Sequence, residues 1–233
     1  MARITRKELK SDKFALEVQH GLTFFEVHQK EILRYGGIAL GIIALAFGAG
    51  SYRRHQRGLR QEALARAIQV QETAVGPVVP GGAPAFPTQQ VKDEAALKAF
   101  GEVKTKYTGS DEAEISEYYT ASIRADQGNM AEAEKGFLEV TQKGNERYAS
   151  LAKFSLAQVY FAEGKTDLAE KTLRDLAAHP TLFVSADQAN IALARSLMPT
   201  KPAEARKILD TLRNRQGPTG QVALTLYSEL PPQ

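Results

Sequence analysis

Four histidines and two groups of glutamates are the side chains of this chain that could bind a metal ion or transfer a proton. They are His20, His28, His55 and His179, with Glu112, Glu114 and Glu117 in one group and Glu132 and Glu134 in the other. A metal site or an acid–base pair needs several such groups at one point. The histidines are widely separated, so we expect them at the surface or at an interface, and we expect the glutamates on solvated helix faces. The sequence therefore predicts no metal ion and no catalytic residue.

Motifs that bind nucleotides or activate a nucleophile are also missing from the sequence. It contains no G-x-S-x-G elbow, no phosphate-binding loop, no Rossmann glycine pattern and no cysteine. The net charge is +3, and residues 35–233 hold 23 Lys and Arg against 22 Asp and Glu. A domain so close to neutral offers no basic surface for a nucleic acid. We therefore expect a protein that is not an enzyme, that needs no cofactor and that binds no nucleic acid.

Three short blocks recur at a fixed spacing in the C-terminal half of the chain. They begin at Ala133, Ala169 and Ala205, which are 36 positions apart. Each alanine is followed by two large apolar residues at the same offsets, Phe137 and Val140, Leu173 and Leu176, and Leu209 and Leu212; Ala96, Phe100 and Val103 repeat the pattern upstream. A period of this size is typical of stacked helical hairpins that cannot bury their apolar faces alone.

The apolar spacing predicts helices along the whole region that contains these blocks. We place them at 91–107, 115–126, 130–142, 148–162, 167–178, 185–197, 202–213 and 220–230. No segment shows the alternation of a strand, and the last helix would cover the open end of the stack. The fold class is therefore predicted to be all-α, a solenoid of helical hairpins over residues 91–233.

A second prediction concerns the N-terminal part, where residues 35–52 run for 18 positions without a charge. As a helix this stretch spans about 27 Å, close to the thickness of a bilayer core. It is flanked by Tyr35 and Tyr52 and by arginines, as expected at membrane interfaces. Positive charges on the two flanks are nearly balanced, and we favour the N-terminal tail inside. The alternatives are a buried core helix and a signal peptide, both of which fit the pattern less well.

Small residues line one face of this predicted transmembrane helix. They are Gly37, Gly41, Ala44 and Gly48, spaced by four, three and four positions. Small residues let two helix backbones approach closely in lipid, so this face is a candidate for packing against another transmembrane helix. The alternative is that glycine and alanine are simply common in such helices.

The remaining segments flank the membrane helix. Residues 1–34 combine a basic tail with an amphipathic helix predicted over residues 14–34, on which Phe14, Val18, Leu22 and Phe25 share one face. This helix would lie on the membrane or continue into the span. Residues 53–75 keep helical character, and residues 76–90 hold four prolines and three glycines. We expect the latter to be a loop.

One run of residues carries a family resemblance. Leu156, Ala157, Tyr160, Gly164, Ala169, Leu173 and Pro180 resemble the tetratricopeptide repeat pattern. Small residues stand where helices cross closely, large ones fill gaps, and Gly164 is expected to end its helix in a left-handed conformation. The chain departs from this pattern in three ways. Its period is 36 residues, where about 34 is usual for the family. Arg124 stands in place of tyrosine in the preceding unit, and Thr200 stands in place of glycine in the following one.

The layout as a whole resembles a bacterial family, the ancillary subunit of the SecYEG translocon. The resemblance covers the membrane helix, its arginine-rich exit (SYRRHQ) and the repeats. It implies a single-pass inner-membrane protein with a cytoplasmic N-terminus and a periplasmic repeat domain. Its implied partners are translocon subunits, periplasmic chaperones or client polypeptides, beside the lipid bilayer itself. A self-associating scaffold for envelope assembly or cell division, which would be a homo-oligomer, is the alternative.

A concave groove is the expected binding surface of such a stack. The register of the repeats places Phe154, Gln158 and Phe161 on it in one unit, Tyr118 and Ser122 in the preceding unit and Asn190 in the following one. Aromatic and amide side chains suit a bound peptide. The alternative is that the three aromatic residues belong to the core.

Overall fold

The computed structural model describes residues 6–77 and 84–231 of the chain, and in the first helix it describes side chains only at residues 30, 31 and 33 onward. The elements are α1 (Arg6–Glu72), β1 (Ala74–Val75), β2 (Ala85–Phe86), α2 (Gln89–Lys106), α3 (Asp111–Asp126), α4 (Met130–Lys143), α5 (Glu146–Ala162), α6 (Thr166–Ala178), α7 (Ala186–Leu197), α8 (Pro202–Leu212) and α9 (Pro218–Glu229). The all-α prediction is confirmed.

The chain divides into two compact units, and the first, Met1–Gly58, is helical wherever it is described. Its helix begins at Arg6, earlier than the predicted start at Phe14, and it passes from the tail into the apolar stretch without a break. The structure does not describe residues 1–5. It also does not describe the side chains of the predicted apolar face of this helix, Phe14, Val18, Leu22 and Phe25.

The apolar part of α1 meets the requirements of a membrane span. Within Leu33–Glu72 the helix is long and apolar enough to cross a bilayer, and no residue of its most apolar 18-residue stretch is buried in the protein. Leu40, Leu45 and Phe47 each expose about 70 % of their surface (69 %, 76 % and 71 %). So many apolar side chains in contact with water would be unfavourable, whereas lipid would accommodate them.

The second unit, Leu59–Gln233, is built from helices that each pack on the next along the chain. The last turns of α1 contribute Leu64 and Ala67 to a small core with α2 and α3. From there the hairpins α3–α4, α5–α6 and α7–α8 follow, and α9 packs on both α7 and α8. One continuous core runs through the three hairpins into α9.

The repeated alanines are fully buried in the cores between packed helices. Ala96, Ala133, Ala169 and Ala205 are completely buried, at 0 % exposure each. The large residues that follow them at offsets of four and seven are all buried as well. Because a larger side chain would separate the crossing helices, the alanines explain why the pattern recurs at this spacing.

Two of the three hairpins turn through a glycine. Gly128 and Gly164 end α3 and α5 with positive φ angles of 79° and 74°, a conformation that a side chain disfavours. The turn between α7 and α8 has Thr200 instead, and no non-glycine residue in the described part of the chain has a positive φ. The third hairpin is one residue shorter between its alanines, since Ala194 and Ala205 are 11 positions apart where Ala157 and Ala169 are 12 apart. The turn itself is four residues long instead of three, and α7 ends three residues after Ala194 where α5 ends five residues after Ala157.

An ion pair between successive hairpins also follows the repeat. Glu134 on α4 accepts a hydrogen bond from Lys165 Nζ at 2.6 Å, and Glu170, 36 positions later, accepts one from Lys201 Nζ at 2.8 Å. Lys165 immediately precedes α6, and Lys201 immediately precedes α8, the second helices of the following hairpins. Pairs of this kind near the surface add little stability, but they favour one register between neighbours.

The predicted loop at 76–90 is partly structured at its two ends. Ala74 and Val75 pair in parallel with Ala85 and Phe86, and the Gly76 amide donates to Phe86 O at 2.9 Å. Thr88 then caps α2, which begins at Gln89. Residues 78–83, the centre of the proline- and glycine-rich tract, lie outside the described residues.

Candidate protein-binding groove

A groove of about 710 Å³ lies between α5 and α7, the first helices of the second and third hairpins. Leu173 of α6 contributes to it from the core, and Val222 of α9 contributes at its edge. The apolar lining consists mainly of Phe154, Phe161, Ile191 and Pro199, and the polar lining of Gln158, Gln188, Arg195 and Ser196. An apolar depression with a few polar groups at its edge is suited to binding a side chain or a short segment of another protein.

Phe154 and Phe161 form the aromatic wall of this groove. They are seven residues apart on α5, two helical turns, and therefore lie on the same face of the helix. Both rings are half-buried and pack against the buried core while they border the groove. The two rings therefore both line the groove and pack on the core, the two alternatives that the sequence left open.

A smaller cavity of about 300 Å³ lies between α3 and α5. Ser122, Asp126 and Ser155 contribute polar atoms to it, and Phe137 contributes to its apolar part. Gln158 borders both this cavity and the larger groove. The two depressions therefore meet at one exposed amide side chain on α5.

Charged groups stand at the two ends of this pair of depressions. Arg195 is exposed at the larger groove, and Asp126 is exposed at the smaller cavity. Although the residue is exposed, partial desolvation of the Asp126 carboxyl raises its pKa, and the neighbouring Asp93 raises it further. A cation at this end would offset the repulsion between these carboxylates.

The glutamates of α3 differ from the prediction that they lie on a solvated face. Glu112 is buried and accepts a hydrogen bond from Arg60 Nε at 3.0 Å, and Glu117 pairs with Lys104 Nζ at 2.7 Å. Glu114 has a buried Oε2 without a hydrogen-bond partner in the described part of the protein, and burial raises the pKa of its carboxyl. The prediction was wrong because α3 packs against both α2 and α4, which leaves its acidic residues little access to water.

The side chains that could bind a metal ion lie far from one another in the part of the protein whose side chains are described. No three His, Cys, Asp or Glu side chains there lie close enough to hold a metal ion. His179 Nδ1 is 3.1 Å from Asp175 Oδ1, one helical turn earlier, and both side chains are well exposed. The side chains of His20 and His28 lie outside the described part.

The comparisons with known proteins agree with the hairpin architecture. The family model described as the tetratricopeptide repeat-like domain matches residues 23–207, which is most of the chain. The chain belongs to this family. The match takes in the apolar stretch of α1 as well as all three hairpins up to α8. Neither the search of curated proteins nor the search of solved structures gave a significant match.

Within the tetratricopeptide repeat-like domain, the structure brings together four of the six residues predicted for the groove. Phe154, Gln158 and Phe161 line the larger depression, and Ser122 lines the smaller one. Tyr118 lines neither depression but lies next to the smaller one: its ring packs at 5.7 Å from Phe137 and 5.6 Å from Tyr148, measured between centroids, and its hydroxyl is 3.5 Å from Ser155 Oγ.

Asn190 is the other predicted residue that does not border either depression. The prediction shifted α5 by 36 positions, but the buried residues Leu156, Ala157 and Tyr160 recur as Leu193, Ala194 and Leu197, each 37 positions later. The shift of one residue accompanies the shorter spacing of Ala194 and Ala205 in the third hairpin. In the correct register Phe154 corresponds to Ile191 and Gln158 to Arg195, which do line the groove.

The sequence analysis missed Asp126, Ile191 and Arg195. Thr200 in place of the turn glycine was the signal that could have revealed the two on α7, because a different turn can change the register of the helix before it. Asp126 gave no signal, since a carboxylate at the end of a helix is common on any surface.

The predicted packing face of the apolar helix is uncovered in the structure. A Cβ atom added at Gly37, Gly41 or Gly48 would meet nothing within 4 Å, and Ala44 is exposed. The face is therefore free of contacts with the described residues of the chain, and its role in packing against another helix stays a prediction.

Proposed function

We propose that this chain is a membrane-anchored protein-binding module that displays its tetratricopeptide repeat-like domain beside the bilayer. The single observation that carries the proposal is the apolar groove between α5 and α7, whose aromatic wall is partly exposed to solvent. Phe154 and Phe161 border this groove side by side on α5, so both rings are available to a partner. Binding, and not catalysis, is the role we assign to it.

We further propose that the module is an accessory factor that links the Sec translocon to periplasmic chaperones or client polypeptides. This finer assignment is supported by the arrangement of a tail, an apolar helix with an arginine-rich exit, and a repeat domain, which resembles the ancillary subunit of that translocon. The family match that includes both the apolar stretch and the repeats is consistent with that arrangement.

A photo-reactive amino acid in place of Gln158 tests the proposed binding role in native membranes. Gln158 is exposed where the two depressions meet, so a bound partner would lie within reach of the probe. We expect crosslinks to other polypeptides, identified by mass spectrometry, that decrease several-fold when Phe154→Ala removes part of the aromatic wall. The matched control places the same probe at Lys171, which is exposed on α6 and borders neither depression.

The identity of the crosslinked polypeptides separates the alternatives. Adducts with translocon subunits or chaperones support the finer proposal, whereas adducts only with a second copy of this chain favour the self-associating scaffold. The uncovered face of Gly37, Gly41 and Gly48 is the observation that keeps the scaffold in consideration. If position 158 gives no more adducts than position 171, the groove is not a protein-binding site.

We propose that α1 spans the bacterial inner membrane once, with the N-terminus in the cytoplasm and the repeat domain in the periplasm. The chain has no cysteine, so single cysteines can report the topology. A membrane-impermeant maleimide should label Ser228→Cys, exposed on α9, in cells whose outer membrane alone is permeable. It should label Ser11→Cys in the N-terminal tail only after the inner membrane is opened. The reverse pattern would show that the orientation is inverted.

A further inference from the structure

The groove and the smaller cavity lie in sequence across three helices. The smaller cavity lies between α3 and α5, the larger groove lies between α5 and α7, and Gln158 belongs to both. Packed helices lie about 8–10 Å apart, so a segment that reaches from α3 past α5 to α7 must cover at least roughly 20 Å, which is about six residues of extended chain. The two depressions are therefore matched in scale to a short extended peptide.

The ends of this path carry opposite charges. Among the residues whose side chains are described, Arg195 is the only charged one that lines the larger groove, and Asp126 is the only charged one that lines the smaller cavity. Neither makes an ion pair with any residue whose side chain is described, whereas nearby charges such as Arg174 and Glu134 are paired. Two charges left unpaired at the ends of an apolar path can pair with charges on a bound segment.

The negative end is reinforced by its surroundings. Asp93, Glu94 and Asp126 line a further cavity on the side of α2, where the one cationic lining residue, Arg124, already pairs with Glu132 at 3.0 Å. The raised pKa of Asp126 reflects burial first and the proximity of Asp93 second. A basic side chain at this position would relieve the repulsion between carboxylates, and an acidic one would increase it.

We propose that the groove binds an extended peptide segment with a fixed order of charge. Its apolar side chains lie against Phe154, Phe161 and Ile191, an acidic side chain pairs with Arg195 at the α7 end, and a basic side chain pairs with Asp126 at the α3 end. This inference rests on the proposed protein-binding function and specifies the partner. A polyanion such as a nucleic acid would pair with Arg195 but would be repelled by Asp126.

Synthetic peptides can test the charge order with the full-length protein in detergent micelles. The probes are fluorescently labelled twelve-residue peptides with two leucines at the centre and with Glu, Gln or Lys at each flanking position in turn. Fluorescence anisotropy measures their affinities. We expect peptides with Glu on one side and Lys on the other, about six residues apart, to bind five- to tenfold more tightly than peptides with Gln at both positions.

Two charge-reversed variants assign each preference to its end. Arg195→Glu should change the preference for Glu into one for Lys at one flank only, and Asp126→Lys should change the preference for Lys into one for Glu at the other flank only. Lys171→Glu on α6 and Glu102→Lys on α2 are the matched controls, because they carry the same changes of net charge on exposed residues outside both depressions. The controls should keep both preferences.

The outcomes of this experiment are distinct from those of the crosslinking. Peptides that bind with equal affinity whatever their flanking charge, in a manner that depends on Phe154, would overturn the charge order and leave the protein-binding function intact. Preferences that change equally in the variants and in their controls would also overturn it, because they would report net charge. If none of the peptides binds, the charge order is wrong, and the crosslinks at position 158 decide the binding function independently.

Discussion

Replacement of Phe137 with alanine should lower the free energy of unfolding of the repeat domain by about 3–5 kcal/mol. Phe137 lies on α4 in the core that joins the three hairpins and exposes only 1 % of its surface. Its ring packs against Tyr118 and forms part of the smaller cavity. The variant would lose these contacts and enlarge an existing empty space, which the surrounding helices could close only by moving closer together at the expense of their other contacts.

Urea unfolding of the full-length protein in detergent micelles, followed by far-UV circular dichroism, measures this change. Leu182→Ala is the control, because Leu182 has 79 % of its surface exposed in the loop between α6 and α7. It should change the free energy of unfolding by no more than about 0.5 kcal/mol. Equal effects of the two substitutions would mean that Phe137 is not in the core.

The second large effect is expected from the smallest substitution, Gly136→Ala on α4. A Cβ atom at Gly136 would lie 2.8 Å from Ala121 Cβ and 2.9 Å from Glu117 Oε1. Ala121 is buried on α3 and cannot turn away, so the two helices must separate. Although alanine favours helix formation over glycine, we expect a net loss of about 1–3 kcal/mol in the free energy of unfolding.

Gly101→Ala on α2 is the matched control for Gly136→Ala, with the same chemical change in a helix. A Cβ atom at Gly101 would meet nothing within 4 Å. Its helix should gain about 0.5–1 kcal/mol, since only the conformational preference of the residue changes. The close approach of α3 and α4 therefore predicts effects of opposite sign for the two glycines. A gain at both would contradict the packing of these helices.

The repeated hairpins could be predicted because one short rule determines them. An alanine followed by large residues four and seven positions later places three side chains on one face of a helix. Helix crossing then requires the small residue, as at Ala169, and the core requires the large ones, as at Leu173. Such local rules leave a trace at every copy of the repeat, and the copies confirm one another.

The residues that border the groove and the one that does not were predicted in different ways. Phe154, Gln158 and Phe161 were predicted from the register of their own hairpin, whereas Asn190 was obtained by carrying that register across to the next. In the third hairpin the register of α7 is displaced by one residue, which on a helix rotates a side chain by about 100°. Likewise, Glu112 accepts its hydrogen bond from Arg60, which lies 52 residues earlier in the chain. No periodic pattern in the sequence indicates such a long-range pair.

The ion pairs that follow the repeat have a consequence for how the domain could grow. The position of Glu134 and Glu170 is occupied by Arg206 in the third hairpin, and its guanidinium contacts Pro231 O and stacks 5.1 Å from the centre of the Tyr227 ring. A duplicated hairpin inserted behind α8 would bring its lysine against a like charge instead of a carboxylate. The third hairpin therefore lacks the carboxylate that pairs each of the first two with its successor, and its arginine contacts the C-terminal segment instead.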